Sequence, residues 1–422
     1  MMRPNGRAFK DERVTIMAFG LTKKELSWVL YDVGNSAFVM LSTALIPVYF
    51  ASIADPGSSV VVAWGYAETL ASLVLALLMP VLGSLADLAG NKKKFLVGFA
   101  GTGAVACAAL GIPEHALVFL VVYVIAAIML NGSMVFYDAF LVDATTEERY
   151  DKVSSHGYAW GYIGSCIPFI ACLAVVLGGS SFGIDAKLGM KIAFIITAVW
   201  WVIFTVPVAK NVKQLHGKKR SDHVLRTTIS GLKGTVKSIM KDKRLLFFML
   251  AFFFYIDGVH TVIKMSTSYG TDLGIDSTQL VLALLVTQFV AFPSAIAYGN
   301  LAKRFGTKRM LKVGVLAYFF IVLFAAFFLK SAVEFWILAI CVGLFQGGIQ
   351  ALSRAYFAKI IPAEKSGEYF GLYDIFGKGA AFMGTTLVGF GAQLTGSLNI
   401  GVSVIFVLFV IGFLLFEKAV RA

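Results

Sequence analysis

Charged side chains are scarce in this sequence of 422 residues, and their scarcity excludes an ordinary soluble protein. Asp, Glu, Lys and Arg make up 14% of the residues, whereas hydrophobic types make up 58%. Soluble domains average about 25% charged residues and are roughly half apolar. The mean hydropathy is +0.81. This composition predicts an integral membrane protein with several membrane spans.

Signatures of disulfide, metal, nucleotide and catalytic sites are also missing from the sequence. The 4 cysteines fall inside apolar windows and match no metal-ligand spacing, so we expect them to be packing residues. No G-x-x-x-x-G-K-[ST] run occurs, and the 5 histidines form no H-E-x-x-H motif. The longest polar stretch, residues 211–243, is too short for a catalytic domain. We therefore expect no enzyme activity, no cofactor, no metal site and no ATP-driven pump.

Twelve apolar windows, each long enough to cross a bilayer, follow one another along the chain. A hydrocarbon core about 30 Å thick takes roughly 20 helical residues to span. The windows are residues 28–53, 60–85, 95–112, 115–141, 156–179, 188–209, 244–269, 277–299, 310–329, 332–358, 368–393 and 397–416. The predicted fold class is an all-α integral membrane protein with twelve transmembrane helices.

Basic residues predict the orientation, because short cytoplasmic loops carry an excess of Lys and Arg. With a cytoplasmic N-terminus, all but five of the 37 Lys and Arg residues fall in inside segments. The five exceptions are Lys187, Lys191, Lys264, Lys330 and Lys378. Both termini are therefore predicted to be cytoplasmic. The net charge of +13 is then mainly a topology signal, and we expect no nucleic-acid partner.

The basic stretch 211–243 divides the windows into two sets of six. This division predicts a cytoplasmic tail (1–27), a six-helix bundle (28–210), the linker (211–243), a second six-helix bundle (244–417) and a cytoplasmic tail (418–422). Inside the linker, apolar residues from Leu225 to Met240 recur at helical spacing, with lysines on another face. That pattern predicts an amphipathic helix on the inner membrane surface. A solvated linker with incidental periodicity is the alternative.

A repeated loop is a second sign of duplication. "GSLADLAGNKKK" (83–94) follows the second window, and "GNLAKRFGTKRM" (299–310) follows the eighth. Both copies hold glycines suited to a tight turn and basic residues suited to the cytoplasmic side. This loop resembles the signature loop of the major facilitator superfamily. The resemblance implies that Asp87 faces the N-terminus of the eleventh predicted helix (residues 368–393) and holds the two halves together. Lys303, at the matching position of the second copy, departs from the pattern.

Five other stretches resemble the vacuole-effluxer-like branch of that superfamily. They are "WVLYDVGNSAFVMLSTALIPVYF", "FYDAFLVDA", "VSSHGYAWGYIGS", "GLFQGGIQALSRAYFAKIIP" and "GEYFGLYDIFGKGAAFMG". The resemblance implies a permease, and eukaryotic relatives are associated with export of amino acids from the vacuole. For this chain it implies a bacterial-type member in the inner (plasma) membrane. The expected partners are a small-molecule substrate, a coupling proton and membrane lipids, and the expected assembly is a monomer.

Polar side chains inside the windows are the candidate transport residues, because an ionised group in a bilayer is costly unless it faces a cavity or a partner. The densest set is Asp257, His260 and Lys264, spaced i, i+3 and i+7 on one helical face. Such a stripe can bind both ends of a zwitterion or relay a proton. An internal charge network that only keeps this face wet is the alternative.

The remaining candidates fall into two groups by depth and position. The predicted substrate-binding residues are Asn35, Ser36, Asn131, Asp257, His260, Lys264, Gln346, Gln350 and Lys378. The predicted gating or coupling residues are Asp32, Asp87, Asp138, Arg354 and Asp374. Asp32 lies only about 6 Å inside its window at 1.5 Å per residue, which favours an inner gate. Arg354 is predicted to pair with a loop acid, and Asp374 with Lys378 at i+4 is a possible self-neutralising pair.

These features predict a secondary transporter that works by alternating access. Without a nucleotide site, coupling comes from an ion gradient or from the substrate's own gradient. Protons are the first choice because Asp257 and His260 are the deepest titratable pair, and a uniporter is the alternative. The predicted substrate is a small polar or zwitterionic metabolite, with amino acids first. The alternative is a lipid or amphiphile flippase or drug exporter of the same fold. A receptor or scaffold without transport is a third interpretation.

Overall fold

The computed structural model describes residues 18–54, 59–218, 224–395 and 398–422, which form sixteen α-helices and four short 3-10 helices. No strand occurs among these residues. The helices are α1 (Lys23–Ala44), α2 (Ile46–Ile53), α3 (Val60–Ala86), α4 (Asn91–Ala109), α5 (Ala116–Ala139), α6 (Leu141–Ala144), α7 (Tyr150–Gly178), α8 (Ala186–Asn211), α9 (Val224–Lys241), α10 (Lys243–Asp272), α11 (Ser277–Phe305), α12 (Thr307–Phe328), α13 (Ala332–Ile360), α14 (Ser366–Thr395), α15 (Leu398–Ser403) and α16 (Ile405–Arg421).

The helices confirm the all-α membrane fold. Within the described ranges, 9 helices are long and apolar enough to cross a membrane, or 10 if the bent pair α1–α2 counts as one span. α4 and α14 lie at the third and eleventh predicted windows. Three lysines lie in the first turn of α4 and make that part of the helix polar. The count of twelve spans and the cytoplasmic position of both termini stay predictions.

Local chemistry sets the ends and the bend of the first helices. Thr22 and Glu25 form a capping box at the start of α1, in which each side chain accepts the other residue's backbone N–H, at 3.2 and 2.7 Å. α1 and α2 meet at 45°. Pro47 in the first turn of α2 explains the bend, because proline has no N–H and its ring crowds the preceding turn.

The helices pack as two groups. Those of residues 18–218, the N-half, pack mainly on one another, and so do those of residues 224–422, the C-half. Across the boundary, α7 contacts α11 and α13, and α3 contacts α14. Each half has a buried aromatic core, with Trp201 in the N-half and Phe248 in the C-half. Large apolar side chains such as Leu77 and Phe320 are exposed on outer faces, as expected for contact with lipid.

The repeated loop places a glycine with a positive φ angle before the next helix in both halves. Gly90 and Gly306 immediately precede α4 and α12, with φ angles of 81° and 88°. Side chains other than glycine rarely adopt this left-handed region. The matching glycines therefore fix where the two helices begin.

The predicted linker helix is present as α9. Thr228, Thr235 and Ile239 are buried on one side, and α9 contacts α3 and α10. Val236 and Met240 are 42% and 67% exposed. Residues 224–241 are thus helical, and the amphipathic helix on the inner membrane surface stays a prediction.

Candidate gate and transport site

Arg354 of α13 inserts its side chain between three helices of the N-half. Its Nη1 donates to Asp138 Oδ1 of α5 at 2.7 Å, and its Nε donates to Ser154 Oγ of α7 at 2.9 Å. Asp32 Oδ2 of α1 lies 3.8 Å from Nη1. A buried charge costs several kcal/mol unless it is paired and hydrogen-bonded, and these groups provide that pairing. The prediction that Arg354 pairs with a loop acid is wrong, because both acids lie within helices.

Three aromatic rings complete the surroundings of this guanidinium. Its carbon lies 4.7, 5.3 and 4.4 Å from the ring centres of Trp28, Tyr137 and Tyr158. A desolvated cation–π contact is worth about 2 kcal/mol. The side chain of Arg354 is 1% exposed, so these contacts are desolvated. We call the N-half residues around it the arginine cage, which comprises Trp28, Asp32, Tyr137, Asp138, Ser154 and Tyr158.

Asp87 forms a second contact between the halves. Its two carboxylate oxygens accept the backbone N–H groups of Gly367, at 2.7 Å, and Glu368, at 3.0 Å. These amides belong to the first turn of α14, where the helix dipole favours negative charge. Burial raises the pKa of Asp87 to about 6, although Lys92 and the two amides oppose this effect. Asp87 thus lies where the resemblance places it, and its gating role stays a prediction.

The second copy of the loop forms a different contact. Asp151, in the first turn of α7, accepts a hydrogen bond from Thr307 Oγ1 at 2.6 Å and from Lys359 Nζ at 2.7 Å. Lys303 holds the position equivalent to Asp87 and is exposed. At this contact the acid therefore comes from the α7 helix and the base from the C-half. The Arg354, Asp87 and Asp151 contacts lie at the end predicted to be cytoplasmic, and we call them the inner seam.

The beginning of the linker joins the inner seam. Asp143 is fully buried, pairs with Lys92 Nζ at 2.6 Å and accepts two backbone N–H groups of the linker. Lys92 also donates to Ser366 Oγ of α14 at 2.8 Å. From the linker itself, Lys218 Nζ donates to Glu368 Oε2 at 2.5 Å. The connection between the halves is therefore bound to both of them.

Asp257, the first predicted substrate residue of α10, is fully buried. Its Oδ1 accepts the backbone N–H of Gly384 on α14 at 3.0 Å and the hydroxyl of Thr261 at 3.4 Å. Its Oδ2 has no hydrogen-bond partner among the described residues. A buried ionised carboxylate with an unpaired oxygen is costly, so this arrangement fits a protonated carboxyl better.

The rest of the α10 stripe becomes more exposed along the helix. His260 is half-buried and Lys264 is exposed. Asp374 is half-buried on α14. The side chain of Lys378 lies outside the described part of the structure. The stripe therefore leads from a buried acid to an exposed base, as a polar path along one face of α10.

The glutamines of α13 lie close to both halves. Gln346 is 3% exposed, and its Nε2 has no hydrogen-bond partner in the described structure. It borders a cavity of about 80 Å³ inside the C-half, together with Thr287 and Gln288. Gln350 donates to Tyr162 Oη of α7 at 3.4 Å, across the boundary between the halves. These amides can bind a polar group that approaches α13.

The amides predicted in the N-half make bonds within their own helices. Asn35 donates to Tyr31 O at 3.0 Å, and Asn131 donates to Ala127 O at 2.8 Å. Ser36 is half-buried and faces Gly161 of α7. Their roles as substrate ligands stay predictions.

The sequence patterns do not single out several residues of the inner seam. They are the aromatic rings of the arginine cage, Ser154, Asp151 and Lys359, none of which is a charge deep inside an apolar window. One signal was available for two of the rings: Trp28 precedes Asp32 by one helical turn, and Tyr137 adjoins Asp138. An aromatic residue beside an intramembrane acid indicates a cation site, because ring faces and carboxylates both attract cations.

Solved transporters have the same fold. The crystal structure of FucP, a major facilitator superfamily transporter in the outward conformation, has a TM-score of 0.74 at 14% identity and covers 94% of this chain and 98% of its own. The human organic anion transporter MFSD10 (TETRAN) has a TM-score of 0.73 at 14% identity, with coverage of 93% and 98%. These likenesses show that the chain has the fold of major facilitator superfamily transporters.

Relatives in sequence identify the family within this superfamily. The family described as "Vacuole effluxer Atg22 like" matches residues 58–421. The uncharacterized MFS-type transporter YxiO of Bacillus subtilis (strain 168) is 46% identical over 400 residues, 93% of either chain. Autophagy-related protein 22 of Cryptococcus neoformans var. neoformans serotype D (strain JEC21 / ATCC MYA-565) is 28% identical over 62% of this chain and 48% of its own length. The chain belongs to the Atg22-like vacuole effluxer family. Its relatives are named as transporters and not as enzymes.

Proposed function

We propose that this chain moves a small polar or zwitterionic metabolite, with amino acids first, by alternating access in a bacterial inner membrane, as a monomer. The observation that carries the proposal is the insertion of Arg354 into the arginine cage. It joins the halves at one end through ionic, hydrogen-bond and cation–π contacts. Such contacts can break and re-form without unfolding either half, which alternating access requires.

In this proposal the structure is the state that is closed toward the cytoplasm. The three contacts of the inner seam involve the end of α3, the start of α7 and the start of α14, all on the predicted cytoplasmic side. Their separation would open a path from the cytoplasm. The family description as a vacuole effluxer supports export as the direction.

The proposed substrate site combines the α10 stripe with the α13 glutamines. Once ionised, Asp257 would offer a negative charge for the amino group of a zwitterion, and Lys264 a positive charge for its carboxylate. Gln346 offers an amide Nε2 that has no hydrogen-bond partner among the described residues. The resemblance to amino-acid effluxers supports this substrate class. His260 lies between the acid and the base on the same face.

Proton coupling is proposed at Asp257. Its described hydrogen-bond donors are a neutral amide and a neutral hydroxyl, and one oxygen is unpaired. Charging this group in a fully buried position is costly, so ionisation would favour a rearrangement that admits water or substrate.

Flux measurements in proteoliposomes test the proposal. We expect amino-acid flux that responds to a pH gradient, loses that response in Asp257→Asn, and falls in Lys264→Met. The exposed Lys303 gives a matched control, because Lys303→Ala removes a cation outside the proposed site. Flux that both site variants leave unchanged would refute the site. Competition by lipids and not by amino acids would favour a flippase.

A further inference from the structure

We propose that the arginine cage is a binding site for the guanidinium or primary ammonium group of a small cytoplasmic solute, and that Arg354 occupies this site as an internal competitor. The inference rests on the proposed function in one respect, the separation of the halves. It adds a ligand class and a location on the N-half that the α10 stripe does not include.

The cage is built by the N-half alone. Trp28 stacks on Tyr137 with ring centres 4.2 Å apart and planes inclined by 14°, and Trp28 Nε1 donates to Tyr137 O at 2.9 Å. The hydroxyl of Tyr137 donates to Asp32 Oδ2 at 3.0 Å. None of these bonds involves Arg354. Two of the three ring faces and one carboxylate are therefore positioned without Arg354, which lowers the cost of binding another cation.

The cage has more acidic side chains than its occupant has basic groups. Asp32 and Asp138 are two carboxylates, and Arg354 brings one guanidinium, with Nη1 at 3.8 and 2.7 Å from them. The planar guanidinium lies against three ring faces, with Tyr158 nearest at 4.4 Å. A guanidinium or primary ammonium group can donate hydrogen bonds to the carboxylates and also lie against the rings, whereas an anion or a neutral solute cannot use both kinds of contact.

Opening of the inner seam must empty the cage. Arg354 belongs to α13 of the C-half, whereas the cage residues belong to α1, α5 and α7 of the N-half. Separation leaves two carboxylates among aromatic rings without their cation, which is unfavourable until a cation replaces it. A cytoplasmic solute with a guanidinium or ammonium group would bind there and favour the open state. Arg354 would expel that solute when the halves close.

Removal of the internal competitor gives a direct test. In purified full-length Arg354→Ala, we expect guanidinium chloride to raise the apparent melting temperature saturably at millimolar concentration. Matched NaCl and neutral urea should not do so, and the wild-type protein, in which Arg354 competes for the cage, should respond only at a higher guanidinium concentration. Adding Asp138→Asn to Arg354→Ala should abolish the effect. Lys359→Ala is the matched control, since it removes another seam cation that has no aromatic cage.

A second measurement applies if Arg354→Ala does not fold. Ser155 is fully buried at the inner seam against Gly299. With the native cysteines replaced by alanine, a Ser155→Cys reporter would label slowly with a maleimide while the seam is closed. We expect methylguanidinium to accelerate labelling roughly fivefold or more, a coupling of ordinary size between linked sites.

Each outcome separates this inference from the transport proposal. Equal responses to guanidinium, sodium and urea in both measurements would overturn the cage as a ligand site, whatever the flux data show. A saturable guanidinium response in a protein that moves no amino acid would keep the cage and overturn the amino-acid proposal.

Discussion

The two acids of the arginine cage differ in how closely they hold Arg354, and this difference is testable. Asp138 makes the 2.7 Å hydrogen bond, whereas Asp32 is 3.8 Å away. Because removing one partner of a buried ion pair costs about 3–5 kcal/mol, we expect Asp138→Asn to accelerate Ser155→Cys labelling more than Asp32→Asn does. Labelling rates of the two variants, compared at equal expression, check the order. The reverse order would identify Asp32 as the main partner.

The raised pKa of Asp87 predicts that the inner seam is sensitive to pH. In the closed state burial raises its pKa to about 6, above the ordinary value of 3.8 for an aspartate. The closed state then binds the proton of Asp87 more tightly than the open state does. Protonation of Asp87 therefore stabilises the closed state fully below a pH of 3.8, and this stabilisation is lost as the pH rises through about 6. Each pKa unit of difference between the closed and the open state changes the free-energy difference between these states by about 1.4 kcal/mol.

The apparent melting temperature can reveal this linkage. On going from about pH 7.5 to about pH 5, we expect the wild-type protein to gain stability relative to Asp87→Asn, which cannot titrate at this position. Comparison with the variant at each pH cancels most of the contribution of other groups. If the apparent melting temperatures of the two proteins change in parallel with pH, Asp87 does not titrate in this range.

At the residue scale, the sequence identifies the charged residues of the arginine cage and its occupant, but it does not identify which of them pair. Asp32, Asp138 and Arg354 stand out because charges inside apolar windows are costly. Their pairing depends on which faces of α1, α5 and α13 meet, and these helices are far apart in the chain. The aromatic rings carry no such cost in a membrane, so nothing in their chemistry marks them without the neighbouring acids.

Close contact between α3 and α14 depends on glycines. A Cβ at Gly83 would collide with the backbone carbonyl of Gly367, whereas a Cβ at Gly65 of the same helix would have nothing within 4 Å. We therefore expect Gly83→Ala to push the helices apart and to speed hydrogen exchange in the first turn of α14. Gly65→Ala should leave that exchange unchanged. Equal exchange in both variants would show that α14 can shift without loosening.

Helix positions were largely predictable, and helix ends were less so. The apolar windows coincide with the helices because a buried backbone in lipid must satisfy its own hydrogen bonds. α1 begins at Lys23, ahead of the window at residue 28, because its capped first turn is polar. Apolarity locates the part of a helix in the membrane, whereas capping residues set where the helix starts.

At the scale of the whole molecule, two of the three contacts of the inner seam are related by the internal repeat but differ in their chemistry. One places the loop acid Asp87 on the backbone amides of α14. The other places Asp151 of α7 against Lys359 and Thr307. The repeat predicts where both contacts lie, since the loops occupy the same place in each half. It does not predict the exchange of charge, because that depends on residues outside the loop.

Two lysines near the Asp151 contact can test whether the position in the repeated loop or the hydrogen bonds to Asp151 hold the halves together. Lys303 aligns with Asp87 in the repeat but is exposed, whereas Lys359 makes hydrogen bonds of 2.7 and 2.8 Å to Asp151 and Thr307. Loss of a charged hydrogen bond costs about 2 kcal/mol, so Lys359→Ala should accelerate Ser155→Cys labelling. Lys303→Ala should change it little, as expected of an exposed side chain. If Lys303→Ala opened the seam and Lys359→Ala did not, the loop itself would hold the halves together, and the repeated position would matter more than the contact.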